Sequence, residues 1–309
     1  MVKLPNPATE PTMYFIGVTT GQSSIMKIFP VWAEALGIKG CLKGIDIALH
    51  APAEDYRAVV EFIRDDPMSV GALVTTHKID LYNACKDMFD YFDPYAQQFG
   101  ELSSISKEDG KLCGHAKDPI SVGLALDSFV PADHWKKYPD AQACVLGAGG
   151  SALAVSAYLA HEKHGDAVPA RIHMNNRSVP RLAEAIHLLE KNRVQMSFNL
   201  CPVPEWNDRI VESLPEGSLV INATGMGKDR PGSPLTDNCK FPKNGIVWEF
   251  NYRGSLEFMH QAEKQQAERN LQIENGWTYF IHGWTQVIAE VFHTDITGER
   301  LEICDRLAR

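Results

Sequence analysis

The sequence predicts an α/β protein of two domains, the second built around a doubly wound, mainly parallel sheet. Three observations predict it. Short apolar runs alternate with stretches whose apolar residues recur at helical spacing. A glycine-rich turn, Gly147-Ala148-Gly149-Gly150, stands directly between one such run and one such stretch. The 309 residues suffice for two cores, and 44% hydrophobic with 22% charged residues is an ordinary globular balance, which excludes disorder as a description of the whole chain.

In the first third, the apolar run at 14–18 reads as a buried strand. A helical pattern follows over 27–36, and Gly37 stands where a C-cap glycine belongs. Residues 41–49 form the next strand candidate. Over 54–64, Tyr56, Val59, Val60 and Ile63 fall on one helical face, and 70–75 is a third strand. Runs at 102–105 and 112–113 flank Asp109-Gly110, a pair suited to a tight hairpin turn. From about Pro139 the cadence becomes regular, with strands expected at 143–146, 172–174, 219–222 and 246–250. Helices over 152–162 and 179–191 separate the first of these, and a last helix is expected over 279–292.

Charge and composition narrow the partners. The net charge is -9 and no basic block occurs, so neither nucleic acid nor an anionic membrane surface is expected as a partner. The sequence contains no run of about 18 apolar residues, so no membrane-spanning helix is expected. The opening residues lack the apolar stretch of a signal peptide, so a cytoplasmic location is expected. The seven cysteines are scattered without a CxxC or Cys/His ligand spacing, which predicts a reducing compartment and no structural zinc.

The segment from Gly147 to Ala152 fits G-x-G-x-x-A after a strand and at the start of a helix, the pattern of a Rossmann-type dinucleotide site. Gly147 permits the tight turn and Gly149 lets the backbone approach a diphosphate. Ala152 permits close helix–strand packing, and the amides around Gly150 and Ser151 face the anion. The second strand of the unit runs into Asn176-Arg177-Ser178, with Arg181 one turn further on, and no Asp or Glu occurs from Arg171 to Leu182. An acid here would grip the ribose 2′-hydroxyl of NAD, whereas guanidinium forks match a 2′-phosphate. NADP is therefore the expected cofactor, with NAD as the alternative.

Further segments occur in a characteristic order. They are Gly17-Val18-Thr19-Thr20-Gly21-Gln22-Ser23, Val74-Thr75-Thr76-His77-Lys78, Gly100-Glu101-Leu102-Ser103-Ser104 and Gly114-His115-Ala116-Lys117-Asp118. After the glycine-rich turn and Asn176-Arg177-Ser178 come Ile221-Asn222-Ala223-Thr224-Gly225-Met226-Gly227 and Gly276-Trp277-Thr278-Tyr279-Phe280. In this order the motifs resemble those of the shikimate dehydrogenase family over almost the whole chain. The resemblance implies a substrate domain of residues 1–122, completed by helices at about 280–309, and an NADP domain of residues 123–279. It implies that Lys78 and Asp118 handle the proton, and that Asn222, Ala223, Thr224 and Met226 lie near the nicotinamide ribose. It assigns the adenosine phosphate to Asn176, Arg177 and Arg181, and the substrate to Ser23, Thr75, Ser103, Lys117 and Gln286.

The chemistry is consistent with those residue types. Oxidising an alcohol removes a hydride and a proton together. A nicotinamide accepts the first, and a lysine whose pKa is lowered by burial accepts the second beside a positioning carboxylate. Departures from the family pattern concentrate on the substrate side. Ile25 stands for the second serine of a pair, Ser103 for an asparagine and Lys117 for a threonine. Gly283 falls where a glutamine is expected, with Gln286 one turn away. The expected function is hydride transfer between NADP(H) and a ring hydroxy or keto acid, such as shikimate and 3-dehydroshikimate or a related molecule. The alternative is a dinucleotide- or small-ligand-binding protein of the same fold without turnover. The expected partner is a small hydroxy acid, and the expected assembly a monomer or homodimer.

Overall fold

Residues 2–228 and 230–309 are described by the structure, a computed structural model. The chain folds into two compact units, one running to Lys117 and resuming over Gly283–Arg309, the other Asp118–His282.

The first unit begins with β1 (Thr12–Gly17), α1 (Ile25–Leu36), β2 (Cys41–Asp46), α2 (Ala53–Asp65) and β3 (Ser69–Val74). It continues through α3 (Lys78–Cys85), β4 (Tyr91–Phe92), α4 (Pro94–Phe99), β5 (Ser104–Glu108) and β6 (Lys111–His115). Its six strands lie in the order β2-β1-β3-β5-β6-β4. β1 pairs in parallel with β2 and β3, whereas β5 runs antiparallel to both β3 and β6. Alternate residues of β1 explain the two layers around it. Tyr14 and Ile16 are buried with Tyr56, Val59, Val60 and Ile63 of α2, the face its spacing predicts. Phe15, on the opposite face, meets Trp284 edge-on at 5.0 Å. The hairpin turn is as expected, with Asp109 at φ 49° and Gly110 at φ 76°, two positive values that Asp-Gly tolerates. β2 is shorter than its apolar pattern, because the Asp46 carboxylate accepts from the Thr20 amide (2.8 Å) and hydroxyl (2.6 Å) and turns the chain away.

The second unit holds α5 (Asp118–Phe129), α6 (His134–Lys137), β7 (Ala143–Leu146), α7 (Gly150–Leu159), β8 (Ile172–Asn176) and α8 (Val179–Leu189). Then come β9 (Met196–Leu200), α9 (Pro204–Glu212), β10 (Leu219–Asn222), β11 (Ile246–Glu249), α10 (Glu257–Glu263), α11 (Gln266–Arg269) and β12 (Gln272–Glu274). α12 (Trp277–Val291) starts in this unit and ends in the first, where α13 (Gly298–Ala308) closes the chain. The sheet is wholly parallel, in the order β12-β11-β10-β7-β8-β9. The strand order thus reverses between β7 and β10, as in a Rossmann-type doubly wound sheet. Cys144, Leu146, Val220 and Val247 from its strands pack on Val211 of α9 and Phe258 of α10. β9 and β12 are edge strands without an apolar run of their own, so periodicity does not announce them. All seven cysteines are free thiols. Among the described residues no helix is long and apolar enough to cross a membrane.

Candidate functional site

The reversal between β7 and β10 is where a doubly wound sheet receives ligands. A cavity of about 480 Å3 lies there, lined by Leu146–Gly149 of the β7–α7 turn, by 175–178 and Arg181 after β8, and after β10 by Ala223, Thr224, Met226, Arg230 and Pro231 with Ser233 and Pro234. The local sequence accounts for its floor. Gly147 sits at φ 125°, and a Cβ on it would approach the Ala223 carbonyl oxygen to 2.6 Å, so only glycine lets the two turns meet. Gly149 is different. A Cβ there would touch no protein atom, yet the residue lines the cavity and its backbone is left bare towards a ligand. Ala152 is fully buried, as close packing of α7 on the sheet demands. The first-turn amides of α7, from Gly150 to Ala152, have no acceptor within the helix and add the positive end of its dipole. The fit to a dinucleotide diphosphate is therefore good.

Asn176 and the two predicted arginines stand at one side of this cavity. The Asn176 Oδ1 accepts from the Ser178 amide at 2.9 Å, an Asx turn that leaves Arg177 exposed at the bend. Ser178 caps α8, accepting from the Arg181 amide at 3.5 Å. Arg181 itself is exposed and bonds Glu184 at 3.0 Å along the helix. Among the described residues lining the cavity there is no carboxylate. Three features escaped the sequence pattern. The segment 201–204 and Asn207 form a further wall. A chain of side-chain amides, Asn199 to Asn175 (2.9 Å), Asn175 to Asn207 (3.1 Å) and Asn207 to the Pro234 carbonyl (2.9 Å), ties that wall together. The third is Arg230, which brings another guanidinium to the lining.

The Asn-Ala-Thr-Gly-Met turn is built from its own side chains. The Asn222 Oδ1 accepts from the Thr224 amide (3.1 Å) and hydroxyl (2.6 Å), while the Thr224 hydroxyl accepts from the Met226 amide at 3.1 Å. Asn222 is fully buried and acts as a frame, and Ala223, Thr224 and Met226 line the cavity. Beneath the turn lies Glu249, fully buried at the end of β11. It accepts from Asn222 Nδ2 (2.8 Å), the Asn251 amide (2.8 Å) and Asn251 Nδ2 (2.7 Å). Burial pushes its carboxyl up to about 7, against the pull of these three donors.

In the first unit, backbone bonds gather most of the predicted substrate residues at the C-terminal ends of the parallel strands. Thr75 follows β3 and donates its amide to the Ile16 carbonyl at 3.0 Å. Lys78, half-buried, opens α3, and its carbonyl accepts from the Leu102 amide at 3.1 Å. The Val74 amide donates to the Ser103 carbonyl, and the Lys117 amide to the Ser103 hydroxyl at 2.6 Å. Ser23, half-buried, ends the loop after β1, and its carbonyl accepts from the Met26 amide. The Lys117 ammonium bonds Glu290 of α12 at 2.6 Å. Glu290 also lies 3.2 Å from His115 Nε2, which meets the Ser106 hydroxyl at 3.0 Å. Burial alone would raise the Glu290 carboxyl, but the Lys117 bond and the His115 and Lys117 charges outweigh it and hold it below its usual range. Burial likewise lowers the His115 imidazole, favouring its neutral form. Gln286 lies one turn before Glu290 on the same helix. Asp118, buried, opens α5 in the second unit.

No protein-family model matches the chain. A shikimate dehydrogenase (NADP(+)) of Streptococcus thermophilus is 25% identical over 229 residues, covering 74% of this chain and 74% of the relative. One from Symbiobacterium thermophilum is 28% identical over 237 residues, covering 76% and 74%. The fold is that of the shikimate 5-dehydrogenase of Thermus thermophilus, solved with NADP(H) and shikimate, at TM-score 0.70 and 22% identity over 96% of this chain and 99% of that one. It is equally that of the ligand-free 5-ketofructose reductase of a Gluconobacter species, at TM-score 0.72 and 16% identity over 97% and 98%. In sequence and in fold this chain is similar to shikimate dehydrogenases.

Proposed function

We propose that the protein is an NADP-dependent oxidoreductase acting on a CH–OH group of a small polar molecule. The observation that carries this reading is the cavity over the strand-order reversal, with an exposed helix N-terminus, arginines in its lining and no carboxylate among the described residues there. Those features suit a dinucleotide diphosphate and a doubly charged 2′-phosphate. The NADP(+)-specific names of the relatives support the same cofactor. Bound NADP supplies the hydride acceptor; everything else falls to the chain. Arg177 and Arg181 hold the adenosine phosphate, and the 222–226 turn shapes the nicotinamide end. In the substrate unit Lys78 takes the hydroxyl proton at its Nζ during oxidation and returns it during reduction. Asp118 positions that lysine and accepts from a substrate hydroxyl. The order of the motifs supports both roles.

The preferred substrate is a relative of shikimate and not shikimate itself. Of the polar groups a ring carboxylate would meet, Lys117 is held by Glu290, Ser103 accepts from the Lys117 amide, and Ile25 offers no donor. A site with fewer free donors for a group gains less from binding it. Steady-state kinetics with shikimate, quinate and a panel of other hydroxy compounds tests the reading. NADP-dependent turnover of a panel member, with weak use of shikimate, is expected. Saturation by micromolar shikimate at about 10 per second or more, typical of an enzyme on its own substrate, would overturn the substrate assignment.

A further inference from the structure

Residues 226–228 and 230–234 border the cavity as a pinned arch. At its start the Gly227 amide donates to the Arg230 carbonyl at 2.7 Å, and Met226 and Arg230 form a β-bridge. At its middle the Gly232 amide donates to Glu257 at 3.3 Å. At its far end the Ser233 hydroxyl donates to Gln261 at 2.7 Å, and the Pro234 carbonyl accepts from Asn207 at 2.9 Å. The segment just beyond is fixed too, with the Thr236 amide donating to Asp208 at 3.0 Å. The arch thus leaves β10, on one side of β7, and is anchored on α9, which follows β9 on the other. Arg177 and Arg181 reach the cavity from the β8 end, whereas Arg230 comes from the arch. Backbone and side-chain bonds at both ends spare Arg230 much of the entropy of being ordered on binding.

We infer that Arg230 is a specificity-determining residue for the cofactor, a third guanidinium that grips the adenosine 2′-phosphate from the arch, opposite Arg177 and Arg181. The inference rests on the reading of this cavity as an NADP site. A doubly charged phosphate offers three acceptor oxygens, more than one arginine fork satisfies. A third fork from another direction therefore finds unused acceptors. The 2′-hydroxyl of NAD offers no such charge, so Arg230 raises discrimination rather than affinity for dinucleotides in general.

The test is calorimetric titration of the full chain with adenosine 2′,5′-bisphosphate and, separately, with adenosine 5′-monophosphate. Wild type is compared with Arg230→Ala, Arg230→Gln, Arg177→Ala and Arg209→Ala, the last removing an exposed charge outside the cavity lining. Arg230→Ala and Arg230→Gln are expected to weaken the bisphosphate by about tenfold or more, as for a lost charged hydrogen bond. The monophosphate should change by less than about twofold, and Arg209→Ala should change neither. Unchanged bisphosphate binding in both Arg230 variants, with loss in Arg177→Ala, would overturn the role of the arch and leave the NADP reading standing. Equal weakening of both ligands would overturn the phosphate contact. No effect of any substitution on the bisphosphate would sink the inference and the NADP reading together.

Discussion

In the second unit, Arg177, Arg181 and Arg230 border a cavity with no carboxylate among the described residues of its lining; in the first, the Lys117 ammonium lies 2.6 Å from Glu290. The difference is one of charge disposition. Arg181 does bond Glu184, but both side chains are exposed and such a pair yields easily to a better anion. The Lys117 ammonium is mostly buried, and its carboxylate partner also serves His115. Exchanging that partner for a substrate carboxylate leaves the half-buried Glu290 without its main cation, which is costly. One unit is thus prepared for an incoming anion, and the other has already supplied its own. The comparison teaches that the count of cations in a motif says less about anion binding than where their counter-ions stand.

The largest effect that would break this division of labour is catalytic. Lys78→Met is expected to lower turnover by about a hundredfold or more, as for loss of a general acid/base. NADPH binding, measured by titration, should remain, since the change lies in the other unit. A near-normal kcat would refute the proton-transfer role.

Next is the buried carboxyl under the 222–226 turn. Glu249 has a folded-state pKa of about 7 against an ordinary 4.5. The folded state therefore holds this proton more tightly than the unfolded one, and the stabilisation, complete below about 4.5, is lost as pH rises through about 7. From pH 5 to 7 this one group should take roughly 2 kcal/mol from the unfolding free energy. Denaturant titrations at both pH values in wild type and Glu249→Gln check it. The same pH dependence in the variant would show that the carboxyl does not titrate as described.

How much of this was legible in the sequence differs between the units for a physical reason. Gly147 and Ala152 are read directly, because they encode a backbone conformation and a close approach that larger side chains forbid, and Gly149 because it leaves backbone bare beside the cavity. The hairpin at Asp109-Gly110 is legible on the same ground. Arg230 is not, since its place depends on an arch fastened by Asn207 and Gln261, 27 and 28 residues from their partners in it. Nor is the state of Lys117, whose counter-ion lies 173 residues along the chain. Local motifs mark the backbone cradle, while the charge balance around it is set by tertiary partners without a spacing rule. The edge strands β9 and β12 were hidden because one residue pattern cannot distinguish a half-covered edge from a loop.

Smaller effects sharpen the comparison from each side. Arg177→Ala should reduce kcat/KM for NADP by about tenfold and leave that for NAD nearly unchanged. A parallel loss with both cofactors would place the arginine away from the 2′-phosphate. Glu290→Gln should release Lys117 from its ion pair and lower KM for shikimate by roughly threefold, with uncharged substrates unaffected. An unchanged or raised KM for shikimate would show that Glu290 does not screen this lysine from a carboxylate.

The most direct test of the central claim is the ratio of kcat/KM for NADP to that for NAD in the unmodified protein, at fixed substrate and ionic strength. With guanidinium groups and no acid among the described residues lining the cavity, the expected ratio is about ten or more in favour of NADP. Equal or better use of NAD would contradict it.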